Sequence, residues 1–171
     1  MADSSVQTND AQNPQLEGSK AQKSHTEELK TEILAHEEKR AYYSERFDKI
    51  KNHVHENLEK QNTDEVLKAI TVGALLVGSS DIHYEVYEKE VIIRFRIDGV
   101  LVDIFSLTHK EYKAILERLK YSAGLKLNIT EIPQDGKYSI IIEENKKIDI
   151  RVSILPTKYG ENGVCRVLDS R

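Results

Sequence analysis

Arg94 and Arg96 stand two residues apart in the run Val91-Ile-Ile-Arg-Phe-Arg-Ile97. On a β-strand that spacing puts both guanidiniums on one face, roughly 7 Å apart. Two planar forks of donors side by side suit a phosphate group. The competing use is a cross-strand ion pair. With two-residue turns on both sides, Arg94 falls opposite Glu85 and Asp103, whereas Arg96 falls opposite His83 and Leu101. Arg96 is then the better candidate for an external anion, and Arg94 the better candidate for holding the sheet face. A third candidate cation, Lys137, follows the Pro133-Gln-Asp-Gly136 turn. Asp149 and Arg151 repeat the two-residue spacing and read as a local ion pair, and Arg166 reads as structural.

Other chemistries find less support. His53 and His55 are i and i+2 on a helix and share no face, so they make a poor metal pair. His83 reads as a packed or hydrogen-bonded histidine. The only cysteine, Cys165, cannot form an internal disulfide and has no evident His/Asp partner for a catalytic thiol; this fits a reducing cytoplasm. Nowhere does the pattern G-x-x-x-x-G-K-[ST] occur, so the loop that would cradle a nucleotide's phosphates is missing and the chain is not expected to be an enzyme. A formal net charge of −4 and a pI near 5.9 argue against a dedicated nucleic-acid binder. The longest near-apolar run, Ala69 to Gly78, has about half the length a membrane span needs. The N-terminus lacks the basic start and apolar centre of a signal peptide.

The elements that must position these residues follow from periodicity. Residues 1–24 are polar and nearly free of large apolar side chains, which predicts a disordered tail. Residues 25–61 are rich in Glu and Lys, contain no Gly or Pro, and space Leu29, Ile33, Tyr43, Phe47, Ile50, Val54 and Leu58 as one long amphipathic helix does. Its stripe is interrupted at His36 and Arg40. Asn62 followed by Glu65 reads as a second helix start, running through Val66, Ile70 and Ala74 to Gly78. The period then drops to two: strands at 81–88, 91–97 and 100–107, the last pair joined by the Asp98-Gly99 hairpin turn. If both turns hold two residues, one face carries Ile82, Tyr84 and Val86, then Ile93, Phe95 and Ile97, then Val100, Val102 and Ile104. A helix is predicted over 108–124, with Tyr112, Ile115, Leu116 and Leu119 inward. Strands at 138–143, 148–155 and 164–168 complete an α+β fold: an antiparallel sheet of about six strands flanked by helices, in a domain spanning 62–171.

The strings SSDIHYEVYEKEVIIRFRIDG (79–99) and IPQDGKYSIIIEENKKIDIRVSILPTKYGE (132–161) carry a family resemblance. They resemble the PAS-like domain just before the ATPase domain of the type II secretion and type IV pilus assembly ATPases, the GspE/PilB-like motors. There SDIHIE, RFRIDG, RIPQDGR, DIRVS and PTxxGE recur in this order. The resemblance covers about Val66 to Asp169. It implies a nucleotide-sensing and subunit-assembly domain without catalysis of its own, as a truncated chain or fragment. It also implies that arginines of this domain reach ATP at the interface with a P-loop domain, with Arg94, Arg96 and Lys137 as the corresponding cations here. The partners so implied are the P-loop ATPase domain of the same or a neighbouring subunit of a hexamer and an inner-membrane platform protein, at the cytoplasmic side of that membrane. Glu131 stands where the family has Arg, Lys137 also replaces an Arg, and Asn162 and Gly163 replace Lys and Val, which predicts a weaker or bulged last strand. Two other readings remain: a free-standing PAS-like small-molecule sensor, and a scaffold that docks partners through the long helix.

Overall fold

A computed structural model of the protein describes residues 14–143 and 146–168. Among the described residues three helices and six strands follow one another as α1 (Pro14–Glu59), α2 (Thr63–Leu76), β1 (Ser79–Val86), β2 (Val91–Ile97), β3 (Val100–Leu107), α3 (His109–Ser122), β4 (Gln134–Glu143), β5 (Lys146–Thr157) and β6 (Gly160–Leu168). This is the α+β architecture expected from the pattern. The sheet order is β3-β2-β1-β6-β5-β4, antiparallel throughout. Two three-stranded meanders, separated in sequence by α3, are thus joined through the β1–β6 pair.

The tail expected at 1–24 falls partly outside the described residues. From Pro14 onward the chain is helical, ahead of the expected start at His25. Proline is well suited to a first helical turn, and the Gln, Glu, Ala and Lys residues that follow are good helix formers even without an apolar stripe. The described residues divide into two compact units, with the boundary between Tyr42 and Tyr43. The end of α1 therefore belongs to the sheet domain, which begins earlier than the expected boundary at 62. Val54 is completely buried, Ile50 is nearly so, and Tyr43, Phe47 and Leu58 pack against the same core. Ile50 sits directly on Gly73 of α2, where an added Cβ would lie 2.6 Å from the isoleucine side chain. A side chain at Gly73 would push α1 off α2.

Helix α2 starts as expected, with the Asn62 side chain accepting a hydrogen bond from the Glu65 amide. Helix α3 carries a full capping box: the Thr108 hydroxyl accepts from the Glu111 amide, and the Glu111 carboxylate accepts from the Thr108 amide. Both helices lie against the inner face of the sheet, which presents Ile82, Tyr84, Ile93, Phe95, Ile150, Val152 and Cys165. Tyr84 stacks on Tyr112 of α3 at 5.8 Å between ring centres, and the Tyr112 hydroxyl donates to the Glu161 carbonyl. Burial among these groups pushes the Cys165 thiol up to about 12, so it stays a neutral core residue.

Three register details depart from expectation. The β1–β2 turn holds four residues, Tyr87 to Glu90, because Val86 pairs with Val91. The shift relative to a two-residue turn is even, so the inward faces survive. In β3 a register irregularity falls where Arg94 pairs with Asp103 and Ile93 with Phe105. This bulge reverses the side-chain parity. Beyond the bulge Phe105 and Leu107 are buried; before it Val100 keeps its expected pairing with Ile97 but, at the hairpin end of an edge strand, is 63% exposed. The Asp98-Gly99 turn itself is as predicted, with positive φ at both residues. The alternative of a bulged last strand is not found: β6 pairs with β5 without a break from Gly160 to Leu168. Asn162 accepts a hydrogen bond from the Val86 amide, and the bare Gly163 makes room for Tyr84 and the Tyr112 hydroxyl.

One buried ion pair fixes the loop between α3 and β4. Lys120, 1% exposed, donates to Glu161 and to the Ile129 carbonyl, each at 2.8 Å. Gln134 closes the same loop by donating to the carbonyls of Lys126 and Ile129 and accepting from the Lys126 amide. The Pro133-to-Lys137 segment is thereby held at the start of β4.

Candidate functional site

The outer face of the sheet, opposite the helices, collects the candidate cations. Cross-strand pairing runs Leu101–Arg96–Asp81–Arg166–Arg151–Lys137 from β3 to β4. This single row contains four cations and one carboxylate. Arg96 and Lys137 occupy the same row but lie four strand spacings apart, about 19 Å. They cannot meet on one phosphate. Arg94 lies in the adjacent row, Asp103–Arg94–His83–Val164–Ser153–Asp135.

Arg94 is occupied by its own sheet. It pairs with Glu85 and with Asp103, the latter at 2.6 Å, and donates to the Tyr87 hydroxyl at 3.0 Å. Hydrogen bonding to Asp103, then Tyr87 and the Glu85 charge, raises its pKa further. The two carboxylates expected around Arg94 are both present, although His83 rather than Glu85 is its direct cross-strand neighbour.

Arg96 differs from the expectation of an unpaired side chain. Its Nε lies 3.4 Å from the Asp81 carboxylate, and its Nη1 donates to the Gly99 carbonyl at 3.1 Å. Asp81 is 3% exposed and also accepts from Arg166 Nε at 2.8 Å and from Ser80 Oγ at 2.8 Å. Burial pushes the Asp81 carboxyl up, but the Arg166 and Ser80 hydrogen bonds and the neighbouring positive charges outweigh it and hold it below its ordinary value. One carboxylate thus anchors two arginines. The Arg166 side chain stays 66% exposed and that of Arg96 35% exposed. Both forks keep unused N–H groups that an oxyanion could take.

The expected Asp149–Arg151 pair is not made. Asp149 lies 3.9 Å from Lys147 and accepts from Ser139 at 2.5 Å. Among the described residues, Arg151 and Lys137 have no carboxylate within ion-pair distance, and both are exposed. Arg166 and Arg151 join the row of Arg96 only through the β1–β6 and β6–β5 registers, which no local pattern encodes, so the sequence does not show them as candidates. The spacing Arg151-x-Ser153 and the lone Arg166 carry no signal of that pairing. Among the described residues, no group of His, Cys, Asp and Glu could hold a metal ion. No described helix is long and apolar enough to cross a membrane.

The surface cavities lie elsewhere. One of about 500 Å³ opens between α2, α3 and β4, beside Asp64, Arg118, Tyr121 and Tyr138. Another, of about 660 Å³, opens beside His55, Glu59, Lys110 and Glu111. Their linings mix charged and polar groups with few apolar ones, unlike an apolar ligand chamber.

Sequence comparison finds relatives among the secretion and pilus assembly ATPases. The type IV pilus assembly ATPase PilB of Myxococcus xanthus is 40% identical over 123 residues, covering 65% of this chain and 22% of the relative. The type II secretion system ATPase E of Vibrio cholerae is 37% identical over 115 residues, covering 66% and 23%. PilB of Pseudomonas aeruginosa is 43% identical over 99 residues, covering 58% and 18%. The chain spans about a fifth of the length of these curated relatives. Residues 56–171, from the end of α1 through the whole sheet, match the family described as "Type II/IV secretion system protein", and the chain belongs to that family.

Proposed function

We propose that this chain is a non-catalytic, nucleotide-sensing and subunit-assembly domain of a type II secretion or type IV pilus assembly motor. The observation that carries the reading is the row Arg96–Asp81–Arg166–Arg151–Lys137, with one carboxylate for four cations on an exposed sheet face. Asp81 pre-aims Arg96 and Arg166, so little side-chain freedom is lost when they take a phosphate oxygen. Arg151 and Lys137 extend the positive field without being consumed by internal pairs.

In this reading the phosphate belongs to ATP bound in a P-loop domain of the same or a neighbouring subunit of a hexamer. The sheet face closes over the nucleotide from outside, and the chain supplies charge and contact area while the P-loop domain supplies the chemistry. The assembly would sit at the cytoplasmic side of the inner membrane, held there through a platform protein. The test is association of the chain with the P-loop domain of a relative, measured by calorimetry with and without a non-hydrolysable ATP analogue, beside a turnover assay of the chain alone. Nucleotide-dependent association and no turnover are expected. Association indifferent to nucleotide, or turnover that responds to Arg96→Ala, would overturn the reading.

A further inference from the structure

We propose that His83 is a further ligand of this anion site, and that an oxyanion binding there is accompanied by uptake of one proton from solvent onto its imidazole. This rests on the reading of the Arg96 row as a phosphate site. His83 stands on the outer face of β1, one step along the strand's face from Asp81, with its side chain 16% exposed. Its cross-strand neighbours are Arg94 on β2 and Val164 on β6. Arg96 is the next residue along the same face of β2, and Arg166 the next along β6. On its own strand it is flanked by Asp81 and Glu85, with Nδ1 3.9 Å from Glu85 Oε1, beyond hydrogen-bond reach.

Every charged group around the imidazole already has a partner. Arg94 holds Glu85 and Asp103, Asp81 holds Arg96 and Arg166, and Glu85 also accepts from the Tyr87 hydroxyl. His83 makes no hydrogen bond among the described residues, and the charged group nearest its ring is Glu85, at 3.9 Å. A partly buried imidazole that makes no hydrogen bond within the described chain, opposite Arg94 and diagonal to Arg96 on the same face, is open to a ligand from outside.

The charge balance gives the direction. Burial and the Arg96 charge, with a smaller push from Arg94, hold the His83 pKa below its ordinary value against the pull of Glu85 and Asp81. Without an anion the ring is therefore neutral at pH 7. A tetrahedral oxyanion beside Arg96 cancels that push and adds negative charge within a few ångströms, which favours the imidazolium. The imidazolium donates from both nitrogens and can reach an anion oxygen where the neutral ring offers one donor. Affinity then rises as pH falls through the pKa of the bound state and levels off below that of the free state.

Sulfate is the discriminating probe, because its charge is constant over the range used. The full chain and His83→Gln are titrated with sulfate at pH 5.5 and pH 8, and the imidazole and arginine side-chain resonances are followed by NMR. Saturating sulfate is expected to raise the His83 pKa by roughly one unit, which makes sulfate tighter at the lower pH by up to about tenfold. His83→Gln is expected to bind with no such pH dependence beyond that of the other histidines. If sulfate moves the Arg96 resonances but leaves the His83 pKa unchanged, the proton coupling is wrong and the anion site stands. If sulfate leaves Arg96 unmoved at both pH values, the anion site and the role of His83 fall together.

Discussion

The row through Arg94 and the row through Arg96 are neighbours on one sheet face, two residues apart, yet they balance their charges differently. Arg94 has Glu85 and Asp103 on flanking strands and ends as a closed cluster. Arg96 shares the single buried Asp81 with Arg166, and beyond them Arg151 and Lys137 continue the row without carboxylates. Spacing along β2 makes the two arginines equivalent. What separates them is which strands pair with β1 and in what register. A guanidinium with two carboxylates is a sheet fastener, whereas two guanidiniums on one carboxylate keep donors for a ligand.

The largest effect is expected at the anchor of the Arg96 row. Asp81→Asn keeps the shape but removes the charge that opposes Arg96 and Arg166, and should cost about 2 kcal/mol, less than a fully buried pair because both arginines reach water. A melting curve of the variant checks this. Because the Asp81 pKa is held below its unfolded value, its stabilisation is complete above about pH 4 and is lost as pH falls through the folded pKa. The parent should therefore lose stability on acidification below that point more steeply than Asp81→Asn does.

Next comes the closed cluster. Arg94→Ala should cost about 1 kcal/mol or less, since Asp103 is largely exposed and the pair is screened by solvent. Denaturant midpoints at low and high salt measure it, and the deficit should shrink as salt is added. A loss larger than that of Asp81→Asn would invert the assigned roles. The smallest stability effects belong to Arg151→Ala and Lys137→Ala, each within about 0.5 kcal/mol. These two should instead weaken anion binding and flatten its salt dependence, read by titration with tripolyphosphate at several ionic strengths. Unchanged binding in both would confine the site to Arg96 and Arg166.

Local chemistry made much of this fold legible. Asp98-Gly99 announces its hairpin because few residues accept positive φ in succession, and Asn62 and Thr108 announce their helices through side-chain caps. The β1–β2 turn could lengthen by two residues without moving any apolar side chain off its face. The β3 bulge was hidden because Val100 and Val102 alternate well enough to mask the parity change that buries Phe105. Periodicity showed that α1 is amphipathic but not that Val54 and Ile50 are core, since a stripe does not say what covers it. The candidate site was half visible. Arg94 and Arg96 stand two residues apart in sequence, but Asp81 meets Arg166 across 85 positions of chain. His83 reads as a packed or hydrogen-bonded histidine in the sequence because its missing hydrogen bonds are a property of its neighbours' pairings.

The measurement that tests the division of labour most directly is a calorimetric titration of the parent, Arg96→Gln and Arg94→Gln with a relative's P-loop domain loaded with a non-hydrolysable ATP analogue. Arg96→Gln is predicted to bind about tenfold or more weaker, as loss of a charge-assisted phosphate contact requires, while Arg94→Gln stays within about threefold of the parent. Equal losses in the two variants, or a loss confined to Arg94→Gln, would contradict the assignment of the Arg96 row as the nucleotide-facing surface.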